Sequence, residues 1–146
     1  MKKLILWTIL ILFFAGTALA ENTVNLYFFY GQGCPHCGSE KAFLDEMEEK
    51  YPTLNINIYE VYQDNDNRLL FQECSALSGT KIQGVPTTFI DRKAHIGFSD
   101  EIAQDIESEI QRCLEEECQG MMTNNTEVCD TDMPSYNKEE IIGYAV

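Results

Sequence analysis

Val24-Asn25-Leu26-Tyr27-Phe28-Phe29-Tyr30-Gly31-Gln32-Gly33-Cys34-Pro35-His36-Cys37 is the stretch that decides how this chain reads. Residues 24–30 form a short run of aromatic and branched apolar side chains, the pattern of a buried strand. Gly31-Gln32-Gly33 supplies a flexible turn. Cys34 then falls at a helix N-cap and Pro35 at the first helical position, where a missing N–H does no harm. The helix runs to about Tyr51, with Phe43, Leu44, Met47 and Tyr51 on one face, and Pro52 stops it. A thiol at such a helix start feels the positive end of the helix dipole and unpaired backbone N–H groups. Both favour thiolate, the species that carries out disulfide chemistry.

Outward from this stretch, residues 54–62 alternate as a second strand. Leu54, Ile56 and Ile58 share a face, and Glu60 falls on the same face by period 2. Asp64 to Asn67 is a turn that caps a helix over roughly 66–78, carrying Leu69, Leu70, Cys74 and Leu77. Gly84-Val85-Pro86 leads into a third strand, Thr87 to Ile90. A hairpin turn at Asp91 to Lys93 follows, and then a short fourth strand from His95 to Phe98. Ser99 or Asp100 caps a last long helix whose stripe is Ile102, Ile106, Ile110 and Cys113 or Leu114, with Gly120 as its stop. The element order is β-α-β-α-β-β-α.

The ends differ from the middle. Lys2 and Lys3 precede an apolar run from Leu4 to Phe14, and Ala18-Leu19-Ala20 has the small-residue pattern of a cleavage site. Residues 1–20 therefore read as a signal peptide, and the protein as exported, periplasmic or otherwise extracytoplasmic, where disulfides persist. Residues 21–119 suit one compact domain, and 120–146 form a polar, cysteine-containing C-terminal extension. The formal net charge of −14 argues against nucleic acid and anionic lipid as partners.

The element order, Cys34-Pro35-His36-Cys37 behind the first strand and Val85-Pro86-Thr87 before the third together resemble the thioredoxin family. The fold so implied is α/β and thioredoxin-like, with a central mixed four-stranded sheet flanked by helices. The choice of Pro-His between the cysteines is most similar to that of the DsbA-type oxidases. The span from Cys37 to Pro86, however, has no room for the helical domain that those oxidases insert.

The resemblance implies a role for each site residue. Cys34 is the nucleophile that attacks a disulfide, and Cys37 resolves the resulting mixed disulfide. Pro35 opens the helix, and His36 adds positive charge beside the thiolate when protonated. Pro86 is the cis proline facing the cysteine pair, and Val85 pairs with an extended substrate segment like an added strand. Thioredoxin carries a buried acid on its first strand, where this chain has Phe28. Glu60, the odd charge on its strand face, is the candidate to relay the Cys37 proton with a raised pKa. The tryptophan that usually precedes the first cysteine is replaced by Gly33.

No metal or organic cofactor is implied. A zinc site wants a second ligand pair, and there is no second CxxC. The expected partners are protein thiols and disulfides, together with a redox-partner protein such as a membrane-bound electron donor, acting on a monomer. Cys74, Cys113, Cys118 and Cys129 allow three pairings. A staple from Cys129 to Cys118 or Cys113 is the easier one, and a second redox pair is the functional alternative. The chain thus reads as an exported thiol–disulfide oxidoreductase (oxidase, isomerase or reductase). The competing reading is a thioredoxin-like module that binds peptides or a partner without redox turnover.

Overall fold

The computed structural model describes residues 22–116, 118, 120–123 and 126–127. Residues 1–20, read above as a signal peptide, lie outside the described residues, as does Cys129. Strand β1 (Val24–Tyr30) is followed by helix α1 (Pro35–Lys50), strand β2 (Leu54–Glu60), helix α2 (Asn65–Leu77), strand β3 (Thr87–Ile90), strand β4 (Lys93–Ile96) and helix α3 (Asp100–Glu115). A two-stranded ribbon, β5 (Met122–Thr123) with β6 (Thr126–Glu127), comes last.

The main sheet has the order β2-β1-β3-β4. β1 and β2 are parallel, joined by α1 as the crossover that a parallel pair requires. β3 runs antiparallel to β1, and β4 antiparallel to β3 across a tight turn in which Asp91 has φ 53°. This mixed sheet with helices on both sides is the thioredoxin-like arrangement.

Because β1 is central, its side chains feed two cores. Leu26 and Phe28 point into a layer with α1 and α3, against Leu44, Met47, Ile106 and Ile110. Tyr27 and Phe29 point to the opposite side, where Phe71 of α2 and Phe89 of β3 cover them. Phe29 stacks on Phe71 and meets Phe89 edge-on. Each such buried aromatic contributes about 2–3 kcal/mol relative to an exposed one. A strand buried on both faces is why residues 24–30 read as a continuous apolar run rather than an alternating one.

Several element boundaries differ from the sequence reading, two of them for a visible reason. β4 starts at Lys93 rather than His95, because the hairpin closes on Asp91 and Arg92 alone. α3 stops at Glu115, short of Gly120, and Glu116 is already extended with ψ 146°. Its end is set by a Cys113–Cys118 disulfide with the two Cα atoms 5.2 Å apart. Five residues along a continuing helix would hold them about 8–9 Å apart, so the chain must turn back. Met121 is 0% exposed and lies in the α2-side core, whereas Cys118 packs on the α1/α3 side.

The disulfide also corrects the expected staple. Cys113 and Cys118 bond each other, so neither is available to Cys129. Cys74, fully buried on α2, is disulfide-bonded as well.

Candidate functional site

The site forms where β1 ends and α1 begins. Cys34 is the N-cap of α1, with φ −79° and ψ 116°, and Pro35 occupies the first turn. The Cys34 sulfur accepts a hydrogen bond from the Cys37 backbone N–H at 3.3 Å, the contact an N-cap side chain makes. The first turn of α1 carries no acidic residue, so no carboxylate of that turn opposes negative charge on that sulfur. Cys34 and Cys37 are joined as a disulfide with Cα atoms 5.3 Å apart. Cys34 is half-buried and Cys37 is 3% exposed, so an incoming thiolate or disulfide reaches Cys34 first. His36 is exposed at the helix start.

The loop before β3 closes the site from the other side. The Val85–Pro86 peptide is cis, and the Val85 carbonyl oxygen lies 3.8 Å from the Cys34 sulfur. Beyond the loop, the Gly97 N–H bonds the Pro86 carbonyl at 2.8 Å and ties it to the end of β4. Pro35, Val85 and Pro86 thus stand around one cysteine pair.

Gly33 has φ +82°, a left-handed conformation that a bulky residue adopts only with strain. The turn geometry itself therefore favours glycine at this position. At Gly31 the ring of Tyr62 lies where a Cβ would stand, so any side chain there would push that exposed ring aside. The exposed Tyr62 ring thus closes over the loop that leads to Cys34.

Glu60 does not have the environment expected of it. Its carboxylate accepts hydrogen bonds from the backbone N–H groups of Gln32 at 3.1 Å, Tyr62 at 2.9 Å and Gln63 at 2.8 Å. These bonds, the one from Gln63 foremost, hold its pKa below the usual carboxylate range rather than above it. The period-2 face was read correctly, but β2 is an edge strand whose outer end lacks cover. Ile58 on the same face is 43% exposed. Glu60 is an ionised clamp that joins the β1–α1 loop to the β2–α2 loop.

Among the described residues the fully buried acid is Glu40, which the sequence reading missed. It lies on α1 one turn after Cys37, and Cys37, Glu40, Leu44 and Met47 form the buried stripe of that helix. Glu40 is 0% exposed, and burial pushes its pKa up to about 7, against the lowering effect of a hydrogen bond from the Thr88 hydroxyl. Thr88 pairs with Phe28 across β1 and β3. The carboxyl therefore lies beside Thr88, the residue opposite Phe28 of β1, and it arrives there from the helix. The signal was available: the stripe Phe43, Leu44, Met47, Tyr51, continued one turn back, meets Glu40 among apolar neighbours.

A second cysteine-containing cluster lies at the far end of α3. Asp91, Cys113 and Cys118 bring their potential ligand atoms within 4.8 Å of one another. The two sulfurs are bonded to each other, and the Arg112 guanidinium already binds Asp91 Oδ2 at 3.1 Å and Glu109 Oε1. With no free thiolate and a resident cation, this arrangement does not fit a metal in its oxidised form.

No protein-family model and no curated protein matches the sequence. Solved structures do resemble this one. A protein from Chlorobium tepidum assigned as thiol:disulfide interchange protein DsbE is 20% identical. The match covers 64% of this chain and 82% of that one, with a TM-score of 0.49. Thioredoxin from Trypanosoma brucei brucei is 13% identical over 67% of this chain and 80% of its own, with a TM-score of 0.47. Glutaredoxin 1 from Francisella tularensis is 19% identical over 64% of this chain and 100% of its own, with a TM-score of 0.40.

Proposed function

We propose that the protein is an exported thiol–disulfide oxidoreductase that exchanges disulfides with protein substrates through Cys34 and Cys37. One observation carries this reading. A half-buried Cys34 sulfur caps a helix, forms a disulfide with a buried Cys37 and faces a cis-proline loop. Export is supported by the basic, apolar and small-residue order of residues 1–20 and by the Cys113–Cys118 disulfide.

In the reducing direction, the Cys34 thiolate attacks one sulfur of a substrate disulfide. The new S–S bond links Cys34 to the substrate, and the electron pair of the broken bond leaves on the other substrate sulfur. Cys37 then gives its proton to Glu40 and attacks the Cys34 sulfur. This forms the Cys34–Cys37 disulfide and releases the second substrate thiolate. Two electrons have passed from the protein to the substrate. Oxidation of a substrate dithiol runs the same steps backwards, with Glu40 returning the proton. A carboxyl with a pKa of about 7 is matched to both directions near neutral pH. Val85 presents its backbone to the substrate segment, and His36 adds positive charge beside Cys34 when protonated. A membrane-bound electron donor or acceptor would reset the pair between turnovers.

The reduction potential of Cys34–Cys37 tests the reading and fixes its direction. A value near the DsbA end, about −120 mV, marks an oxidase, and one near thioredoxin, about −270 mV, a reductase. A pair that fails to equilibrate with glutathione and does not reduce insulin would overturn the catalytic reading in favour of a binding module.

A further inference from the structure

Among the described residues, two buried side-chain atoms have no hydrogen-bond partner, Glu40 Oε2 and His95 Nε2. They flank the same residue. Thr88 donates its hydroxyl to Glu40 Oε1, and Thr88 is also the direct cross-strand partner of His95 in the β3–β4 ladder. Directly opposed residues project to one face with Cβ atoms about 5 Å apart. That face is the α1/α3 side, because Glu40 reaches Thr88 from α1. His95 is 5% exposed there. Two orphaned polar atoms on one buried face, on either side of a hydroxyl, are costly unless something joins them.

We propose that Glu40 and His95 are joined across Thr88 by one internal water into a single proton-sharing pair, through which the proton that Glu40 takes from Cys37 leaves the core. This rests on the disulfide-exchange reading above. The water has the partners such a site needs: it donates to Glu40 Oε2 and His95 Nε2 and lies beside the Thr88 hydroxyl. In the transfer, protonated Glu40 gives its proton to the water as the water gives one to His95 Nε2. The balance is one carboxylate regained and one imidazolium formed.

The groups that face His95 suit a transient carrier. Lys93, on its own strand, opposes the imidazolium, whereas Glu109 and Asp105 on α3 favour it. Burial, the largest effect, keeps the imidazole neutral at rest, with its pKa below the ordinary value. Glu40 meets Thr88 from β3 and Cys37 along its own helix. On α3, the exposed Asp105 offers the proton its way to solvent, whereas Glu109 is buried and paired with Arg112 and Lys93. His95 is thus a proton carrier that touches neither thiol and acts on them only through Glu40.

NMR titration of the Glu40 carboxyl and the His95 imidazole in the oxidised full chain reads the pair without any turnover. The unmutated protein should show both titration steps at both resonances, as coupled sites do. H95L should raise the Glu40 midpoint by about one pH unit, so that resolution by Cys37 at pH 6 slows about tenfold. H95Q, whose amide can hold the same water, should restore most of the midpoint. Independent single-step titrations, or a Glu40 midpoint unmoved in H95L, would overturn the pair. Coupled titrations in a protein that exchanges no disulfide would refute the proposed chemistry instead and leave the pair standing.

Discussion

Replacing Glu40 by glutamine should stabilise the protein, increasingly so as pH rises above about 4.5. Glutamine keeps the shape and an oxygen for the Thr88 hydroxyl but never ionises. In the native protein the Glu40 pKa is raised from 4.5 to about 7 by burial. Below about pH 4.5 the carboxyl is protonated in folded and unfolded chains alike, and its burial carries no charge penalty. Between about 4.5 and 7 the unfolded chain releases a proton that the folded chain retains, so stability falls as pH rises. Above about 7 the full penalty applies. At about 1.4 kcal/mol per unit, the shift amounts to about 3 kcal/mol. Urea unfolding of the oxidised proteins from pH 4 to 8 should therefore give nearly equal stabilities for native protein and E40Q at pH 4. The mutant should gain about 3 kcal/mol by pH 8. Burial also raises the pKa of Glu73, but that contribution is present in both proteins and cancels in the difference. Parallel pH profiles for the two proteins would refute the account of Glu40 as a buried acid that ionises near neutrality.

Three further outcomes follow from other contacts. T88V removes the hydrogen bond that favours ionised Glu40, so the pH-dependent fall in stability should extend to higher pH and deepen by about 1–2 kcal/mol at pH 8 in the same urea titration. E60Q should leave the pH profile of mixed-disulfide resolution unchanged, because Glu60 is a loop clamp. Amide hydrogen exchange at Gln32, Tyr62 and Gln63 should become faster, and a shifted resolution profile would return Glu60 to the proton path. Changing both Cys113 and Cys118 to serine opens a small loop and should cost about 2 kcal/mol of stability by urea unfolding, with the exchange rate of Cys34 unchanged. A large loss of exchange would instead make the pair part of the redox route.

The parts of this fold that could be read in advance are those set by local chemistry. Cys34 and Pro35 mark a helix start by their own capping and ring properties, and the structure places them there. The doubly buried β1 announces itself as an unbroken apolar run. What escaped reading depends on cover from elsewhere in the chain. Period 2 assigned Glu60 to the right face but could not show that β2 is an edge strand whose outer end is open. Glu40 looked like one of many acids on a charged helix, because its burial comes from the sheet beneath α1. The end of α3 and the pairing of Cys113 with Cys118 were set by a bond that sequence spacing leaves open among alternatives. Met121 follows the end of α3, yet it belongs to the α2-side core on the far side of the sheet.

The central claim is that Cys34 attacks, Cys37 resolves and the bond between them is exchanged with substrate. Trapping tests it most directly. C37S, reduced and mixed with a peptide disulfide, should accumulate a stable mixed disulfide on Cys34, identified by peptide mass mapping, because the resolving thiol is gone. C34S should form little adduct under the same conditions, since Cys37 is buried. No adduct on Cys34 in C37S, or equal adduct on Cys37 in C34S, would contradict the account.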